Sequence, residues 1–207
     1  MAAQQSVYER LKERIVQLDL APGAPLHAAV LAKELSVSTT PIREALVRLE
    51  ADGFVRRLPN STPHVTEVHL TDLKDVLEVR LLLTEQIGRL AAQRVTASEM
   101  REMQKLLKKM RCETDHKSLI HLDAKFHDVV NRATKNSALT KLEELMRNQM
   151  TRLWFYVRNE DGYWKQLIDN RSRLLAALDE GDGETVGNLL KGHVLSFIDH
   201  VREGSWG

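Results

Sequence analysis

The sequence predicts a mostly α-helical protein, with a winged helix-turn-helix at the N-terminus followed by an all-α antiparallel helical bundle. Three helix-periodic segments precede two β-rich segments that flank a polar turn, the order typical of a winged helix. From Thr71 onward, apolar residues recur at helical spacing in nearly every segment. Aromatic residues make up only 5% of the 207 residues, and Gly (10) and Pro (5) are few, which favours helices over sheets.

The composition does not identify a binding partner, but it does indicate the cellular compartment. Lys plus Arg (30) nearly balance Asp plus Glu (29), so any basic surface for nucleic acid must be local. The single cysteine, Cys112, rules out an internal disulfide and favours a reducing compartment. No stretch has the apolar character of a signal peptide or of a membrane span, which needs about 18 apolar residues. We therefore expect a soluble, cytoplasmic protein.

Three helices are predicted in the N-terminal segment. The first runs from about Ser6 to Asp19, and Pro22-Gly23 prevents its continuation. The third begins between Ser38 and Thr40, whose hydroxyls can cap it, and Gly53 ends it. Residues expected to face inward from the second and third helices are Val30, Leu31, Leu35, Ile42, Leu46 and Leu49.

The segments 54–58 and 64–68 flank the polar turn 59–63 and are predicted to form a two-stranded wing. Helices and wing together define a predicted DNA-binding domain over residues 1–68. Arg43 lies one turn into the third helix, where a guanidinium can bridge guanine O6 and N7 and supply about 1–3 kcal/mol of discrimination. An ordinary solvated face of mixed charge is the alternative. Candidate DNA-contacting residues are Ser38, Thr39, Thr40, Arg43, Arg48, Arg56, Arg57 and His64.

The predicted bundle covers residues 69–207. Thr96 and Glu99 form a capping box at the start of one helix, and Gly181-Asp182-Gly183 separates the last two. One of the predicted inward-facing stripes begins at Leu142.

Asp123 and His127 are four residues apart and therefore share one face of a helix with apolar neighbours. A buried carboxylate and imidazole need partners. The spacing is compatible with a Zn, Ni or Mn site, and a simple Asp–His hydrogen bond is the more common explanation. His193 lies beside the apolar stripe of the last helix, where a hydrogen-bonded core histidine is the more common situation.

The N-terminal segment resembles the DNA-binding domain of GntR-type bacterial transcription regulators. The resemblance rests on Pro22-Gly23, on LAKELSVS, on TPIREALVRLEADGFV and on the hairpin that follows. Residues from about Thr71 onward resemble the FCD-type ligand-binding domain of the FadR branch. The matching pieces are Glu78-Val79-Arg80, Asp123-Ala124-Lys125-Phe126-His127, Asn136 with Leu139, the segment 177–182, and His193. The resemblance implies a ligand-responsive, homodimeric transcription regulator, a repressor by default, on a palindromic DNA operator.

This chain departs from the family pattern in its head. Thr39 stands where the family usually has an Arg that contacts DNA, and Ser61-Thr62 stand where the wing tip usually has Arg-Gly. Both changes remove contacts to phosphates, so we expect weaker wing contacts or a different operator.

In FCD-type domains, an Asp and three His commonly bind a divalent metal, and Asp123, His127 and His193 match three of these four ligands. Arg171 stands at the fourth position. Arg has no lone pair for a metal. It also repels the ion: two unit charges about 4 Å apart cost about 4 kcal/mol at an effective dielectric of about 20, and a divalent ion roughly doubles that. Three outcomes stay open: no metal with Arg171 paired to Asp123, a weak three-ligand site, or an anion that bridges metal and Arg171.

The resemblance implies that Arg80 and Arg171 bind the effector, because Arg can hold a carboxylate through two parallel hydrogen bonds. For Arg80 the alternative is a side chain that reaches past the apolar face to solvent. A small organic acid or sugar acid is the predicted effector. Two alternatives remain. A metal-dependent hydrolase could use Asp123, His127 and His193, although it would leave residues 6–68 without a role. A fatty-acyl-thioester sensor would need a long apolar tunnel.

Overall fold

The computed structural model describes residues 6–59, 61–67, 70–154 and 161–203, without the side chains of 70–73, 153–154, 161–162 and 200–203. Within these residues there are nine helices and one two-stranded antiparallel sheet. In chain order they are α1 (Val7–Val16), α2 (Ala28–Leu35), α3 (Thr39–Ala51), β1 (Val55–Arg56), β2 (His64–Val65), α4 (Leu70–Arg94), α5 (Ala97–Cys112), α6 (His116–Ala133), α7 (Ser137–Trp154), α8 (Asp161–Asp179) and α9 (Gly183–Glu203). The predicted fold class is confirmed.

The chain divides into two compact units. The first comprises residues 1–72 together with 148–155, and the second comprises 73–147 and 156–207. Helix α7 therefore contributes to both units. The predicted domain boundary between Val68 and His69 lies outside the described residues.

The first unit is built on α1, α2 and α3, whose apolar faces form its core. Ile42, Leu46 and Leu49 are at most 2% exposed, as the helical period of α3 predicts. The expectation for Val30 was wrong, because its side chain is 54% exposed. Leu31, Ala32 and Leu35 set the buried face of α2, and Val30 lies outside that arc.

The other departures in the first unit concern lengths. Helix α1 ends at Val16, before the predicted Asp19, because the chain turns at Leu18, whose φ is 62°. The wing strands are two residues each, with Val55 paired to Val65 and Arg56 to His64. The predicted strand end at Val68 lies outside the described residues.

Near the wing, the first unit includes the C-terminal end of α7. Arg152 is 1% exposed. Its Nη1 donates to Thr66 Oγ1 at 3.1 Å and its Nη2 to Thr66 O at 2.5 Å. A buried guanidinium thus holds the backbone that follows β2.

The second unit has a continuous apolar core formed from α4, α5, α6, α8 and α9. The predicted capping box of α5 is confirmed, with the Glu99 N–H donating to Thr96 Oγ1 and the Thr96 N–H donating to Glu99 Oε2. Helices α4 and α9 approach closely, since a Cβ on Gly88 would lie 2.3 Å from the Gly187 backbone nitrogen. Leu142 was expected to be inward, but its side chain is 41% exposed on α7. The buried face of α7 in this unit carries Glu143 and Arg147 instead.

None of the helices in the described residues combines the length and the apolar character needed to cross a membrane.

Candidate functional site

The turn between α2 and α3 presents the N-terminal end of α3. Ser36 adopts the left-handed conformation (φ 55°) at the end of α2, and the Val37 N–H closes the turn on Ala32 O at 3.0 Å. Ser38 is the N-cap residue of α3, but its hydroxyl makes no capping hydrogen bond. Ser38 and Thr40 are exposed and Thr39 is half-buried. The free amides and hydroxyls of this end suit an anion such as a phosphate.

Arg43 extends from the same end of α3 into solvent. Its helix is fixed by Ile42 and Leu46, which are 0% and 2% exposed. Arg43 is exposed and has no ion pair or hydrogen bond within the described part of the chain. Its guanidinium is therefore available to a partner molecule.

Arg48, one turn further along α3, is engaged within the protein. Its guanidinium carbon lies 4.0 Å from the centre of the Tyr8 ring on α1. The Tyr8 hydroxyl donates to Asp52 Oδ2 at 2.5 Å. Burial, together with the neighbouring Asp52, raises the pKa of the Tyr8 hydroxyl. Arg48 thus packs α3 against α1, and a phosphate contact by Arg48 stays a prediction.

The predicted contacts on the wing fall into two groups. Arg56 and His64 face each other in register, and both are exposed. Arg57 is exposed too, but its Nε lies 3.7 Å from Glu50 Oε2. At the turn between the strands, Ser61 Oγ donates to Leu58 O at 3.0 Å. Ser61, which stands where the family usually has a wing cation, therefore closes the turn. Its position in a polar loop does not reveal this role.

In the second unit, the structure brings together the four residues that the sequence singles out on three separate helices. Asp123 and His127 come from α6, Arg171 from α8 and His193 from α9. Asp123 Oδ2 lies 3.7 Å from Nε2 of each histidine. Arg171 is 0% exposed, and its Nε donates to Asp123 Oδ1 at 2.8 Å. The two imidazole rings are 5.2 Å apart.

The position of Arg171 fixes the protonation of His127. Arg171 Nη2 lies 2.8 Å from His127 Nε2, and a guanidinium can only donate. Nε2 must therefore accept, so the His127 proton is on Nδ1 and the ring is neutral. Burial and the Arg171 charge hold the pKa of His127 well below its usual value. The same two causes lower the pKa of His193 to about 3, against the opposing effect of Asp123.

A second buried cluster was not anticipated from the sequence. Arg80 Nη2 lies 2.9 Å from Glu143 Oε1, and both side chains are at most 7% exposed. Arg147 Nε lies 3.4 Å from Glu143 Oε2, and Arg147 also pairs with Asp128. Asn131 donates its amide hydrogen to the Glu143 carboxylate. Burial raises the pKa of Glu143, but the two guanidinium groups outweigh it, so the pKa lies below its usual value.

Arg80, predicted as a carboxylate clamp, therefore already holds a carboxylate of its own chain. The signal available in the sequence was the Glu143–Arg147 spacing of four residues, which places both side chains on one helix face. The pairing with Arg80 joins residues 63 positions apart, which helical spacing cannot reveal.

Within the described residues, three arginines of these two clusters pair with three carboxylates. The cations are Arg80, Arg147 and Arg171, and the carboxylates paired with them are Asp123, Asp128 and Glu143. Since His127 and His193 have lowered pKa values, they add no charge near neutral pH. We call this set the buried ion-pair array; its three arginines are at most 7% exposed, whereas the Asp128 side chain at its edge is 51% exposed.

A cavity of about 490 Å³ lies between α8 and α9 beside His193. Its lining residues are mostly neutral and polar, with one exposed cation: Tyr163, Gln166, Leu167, Asn170, Arg173, Thr185, Asn188, Leu189, Gly192, His193 and Ser196. Arg173 has no ion pair within the described residues. Such a lining can hold a small molecule rich in hydroxyl groups.

The donors of Asp123, His127 and His193 lie within 4.8 Å of one another, a spacing that could hold a metal ion. The arrangement of Arg171 does not fit one. A neutral imidazole has a single lone pair, and Arg171 takes that of His127 Nε2. A metal and the observed position of Arg171 therefore exclude each other at this atom.

The fold defines a class of protein: a winged helix-turn-helix domain followed by an all-α domain. Residues 3–65 match the family model for bacterial regulatory proteins of the gntR family. Residues 75–196, more than half of the chain, match the family model for the FCD domain. The chain belongs to the GntR family of bacterial transcription regulators and carries an FCD domain.

Individual relatives agree with this assignment. The transcriptional repressor RspR of Escherichia coli strain K12 is 22% identical over 202 residues, covering 96% of this chain and 89% of RspR. The Exu regulon transcriptional regulator of the same strain is 31% identical over 180 residues, 78% of this chain and 66% of that protein. The solved structure of E. coli McbR/YncC superimposes with a TM-score of 0.86 at 27% identity, covering 95% of each chain. These matches are to transcription regulators, which decides against the hydrolase alternative.

Proposed function

We propose that this protein is a sequence-specific, ligand-responsive repressor of transcription. Residues 1–68 bind the operator, and residues 69–207 bind a small carboxylate or sugar acid and hold two copies together as a homodimer. The observation that carries the proposal is the exposed N-terminal end of α3, where Arg43 has no ionic partner within the described residues.

The chemistry of this helix end suits a DNA major groove. Arg43 supplies two parallel donors for guanine O6 and N7. Ser38, Thr39 and Thr40 add hydroxyls beside the free backbone amides of the first turn, which suit phosphates. Arg56 and His64 lie on the exposed face of the wing. Because Ser61 closes its own turn, we expect the wing to add phosphate contacts through the strands and few through the tip.

A homodimer would present two copies of α3 to successive turns of a palindromic operator, about 34 Å apart. Apolar side chains on α4 support a second copy as the partner. Leu82 is 75% exposed and Val79 is 39% exposed, and residues three apart lie on the same helix face. Covering them would remove apolar surface from water.

For the effector, a small anion is supported by the chemistry of the second unit. A carboxylate that entered the buried ion-pair array would compete with Glu143 for Arg80 or with Asp123 for Arg171, and would so rearrange the array. The cavity beside His193 offers amide and hydroxyl groups together with Arg173, which suits a sugar acid. A polar lining of this kind is a poor environment for a fatty-acyl chain.

Helix α7 supplies the proposed link between effector and operator. It carries Glu143 and Arg147 of the array, and its last residues, including Arg152, belong to the first unit. Arg152 holds Thr66 directly after β2. A ligand changes the DNA affinity only through its different affinities for two arrangements of the protein, and we propose that a shift of α7 distinguishes them.

The direction of the response is supported by a relative. RspR is described as a transcriptional repressor, and its match covers nearly this whole chain. We propose that effector binding releases the protein from its operator.

Selection of bound fragments from genomic DNA, followed by gel-shift titration, tests the proposal. The wild-type protein should enrich a palindromic site, and Arg43→Ala should lose about 1–3 kcal/mol of preference for it over unrelated DNA. The variant should retain binding that weakens with salt, because phosphate contacts remain. Sugar acids and small dicarboxylates titrated into the complex would then identify the effector by release.

The matched control is Arg89→Ala. Arg89 is an exposed arginine on α4 whose side chain, within the described residues, hydrogen-bonds only to Gln86 Oε1, at 2.8 Å. This variant should bind the operator like the wild type. An unchanged preference in Arg43→Ala would contradict the proposed role of α3.

A further inference from the structure

The family resemblance implies that Arg171 stands where FCD domains commonly carry a metal-binding histidine, and the geometry shows which atoms this arginine contacts. Arg171 Nε donates to Asp123 Oδ1, and Arg171 Nη2 donates to His127 Nε2, both at 2.8 Å. His127 Nε2 is the atom that a metal would need from this histidine, and Arg171 also occupies one of the two Asp123 carboxylate oxygens. We infer that Arg171 is a built-in cation that takes the place of the divalent ion, so that this domain folds without metal.

The first support is that Arg171 already uses the lone pair that His127 would offer to a metal. His127 Nε2 has one lone pair, and it accepts from Arg171. Coordination of a metal at Nε2 would require Arg171 to leave. No alternative protonation removes the conflict, since a guanidinium keeps its proton and offers no acceptor.

The second support is how firmly Arg171 is held. It is 0% exposed, and its Nη1 donates to Asn170 Oδ1 at 3.0 Å. Its guanidinium carbon also lies 5.5 Å from the centre of the Phe126 ring. All three guanidinium nitrogens have partners, so displacement by a metal would leave a buried cation without its hydrogen bonds.

The third support is the charge balance of the site. Arg171 neutralises Asp123, and the neighbouring Arg80 and Arg147 are neutralised by Glu143 and Asp128. A divalent ion would add two positive charges beside these guanidinium groups without adding an anion. Among the described residues, the three guanidinium groups already match the three carboxylates that pair with them.

This inference goes beyond the proposed function, because it concerns the chemistry of the site for any effector. Wild-type protein should be produced without a His tag and purified without chelator, and its metal content measured by mass spectrometry. We expect no stoichiometric metal, and no change in the melting temperature with EDTA, Zn²⁺ or Ni²⁺. The variant Arg171→His completes a set of one carboxylate and three imidazoles, and it should bind about one metal ion per chain and melt higher when metal is added.

Two control variants test whether the metal bound by Arg171→His depends on the new histidine and on all four ligands. Arg171→Lys keeps a cation without the guanidinium and should bind no metal. Arg171→His combined with His193→Ala removes one of the four ligands and should lose the gained metal. Stoichiometric metal in the wild type, a lower melting temperature with EDTA, or a folded Arg171→His variant that binds no metal would each overturn the inference. If Arg171→His does not fold, the wild-type metal content and its response to EDTA decide alone.

Discussion

Arginines serve opposite purposes in the two units of this protein. At the end of α3, Arg43 is exposed and has no partner within the described residues. In the second unit, Arg80, Arg147 and Arg171 are at most 7% exposed, and each lies against a carboxylate of the same chain. An exposed, unpaired cation can bind a phosphate or a base without first losing an internal partner. A buried, paired cation stabilises the fold, and a ligand can reach it only by competing with that partner.

The largest expected effect is a loss of stability when a buried ion pair is broken. Glu143→Gln removes the charge that Arg80 and Arg147 share while keeping the shape of the side chain. Breaking a buried pair by removing one partner typically costs about 3–5 kcal/mol, because a buried charge is left uncompensated. Chemical denaturation should show a loss of this size in the free energy of unfolding.

The matched control for Glu143 is the exposed pair of Arg132 and Glu102, which lie 2.7 Å apart with about half of each side chain exposed. Glu102→Gln should cost less than about 1 kcal/mol, as exposed ion pairs do. Equal costs for the two variants would mean that burial does not distinguish the array.

A smaller effect separates two arginines on the same helix. Arg48→Ala removes the contact with the Tyr8 ring and should lower the free energy of unfolding by about 0.5–1 kcal/mol, while operator preference stays largely intact. Thermal unfolding and gel shifts on the same samples measure both quantities. Arg43→Ala should show the reverse, with unchanged stability and reduced preference. A larger loss of operator preference in Arg48→Ala than in Arg43→Ala would exchange the roles assigned to them.

The smallest effect concerns the wing. Arg56 is exposed and has no ion pair within the described residues, so we expect it to contact one phosphate. Arg56→Ala should reduce the slope of log K against log salt by about one and weaken binding evenly across sequences. Arg57→Ala is the comparison variant, because Arg57 is near Glu50 and should change the slope less.

Much of the fold could be predicted from local signals in the sequence. The capping box at Thr96 and Glu99, the burial of Ile42, Leu46 and Leu49, and the start of α3 at Thr39 follow from periodicity and helix-end chemistry. The errors lie where burial depends on neighbours that are distant in sequence. Val30 and Leu142 are apolar residues on helices, and both are exposed.

The buried ion-pair array shows the same limit. Spacing placed Asp123 and His127 on one face, and the family resemblance pointed to His193 and Arg171. The role of Glu143 as a shared partner of Arg80 and Arg147 depends on α4 and α7 meeting in the core, and the short spacing of Glu143 and Arg147 indicates only half of it.

By itself, the sequence determined the fold class, the helix-turn-helix with its wing, and the residue types available at each site. These follow from periodicity, capping and turn chemistry, which act over a few residues. Only the tertiary structure decided which charged groups meet. Arg171 contacts Asp123 and His127, and Arg80 pairs with Glu143. Arg43 pairs with none of the described residues. The reason is that an ion pair depends on distance and burial in three dimensions, and residues up to 63 positions apart along the chain become neighbours only when helices pack.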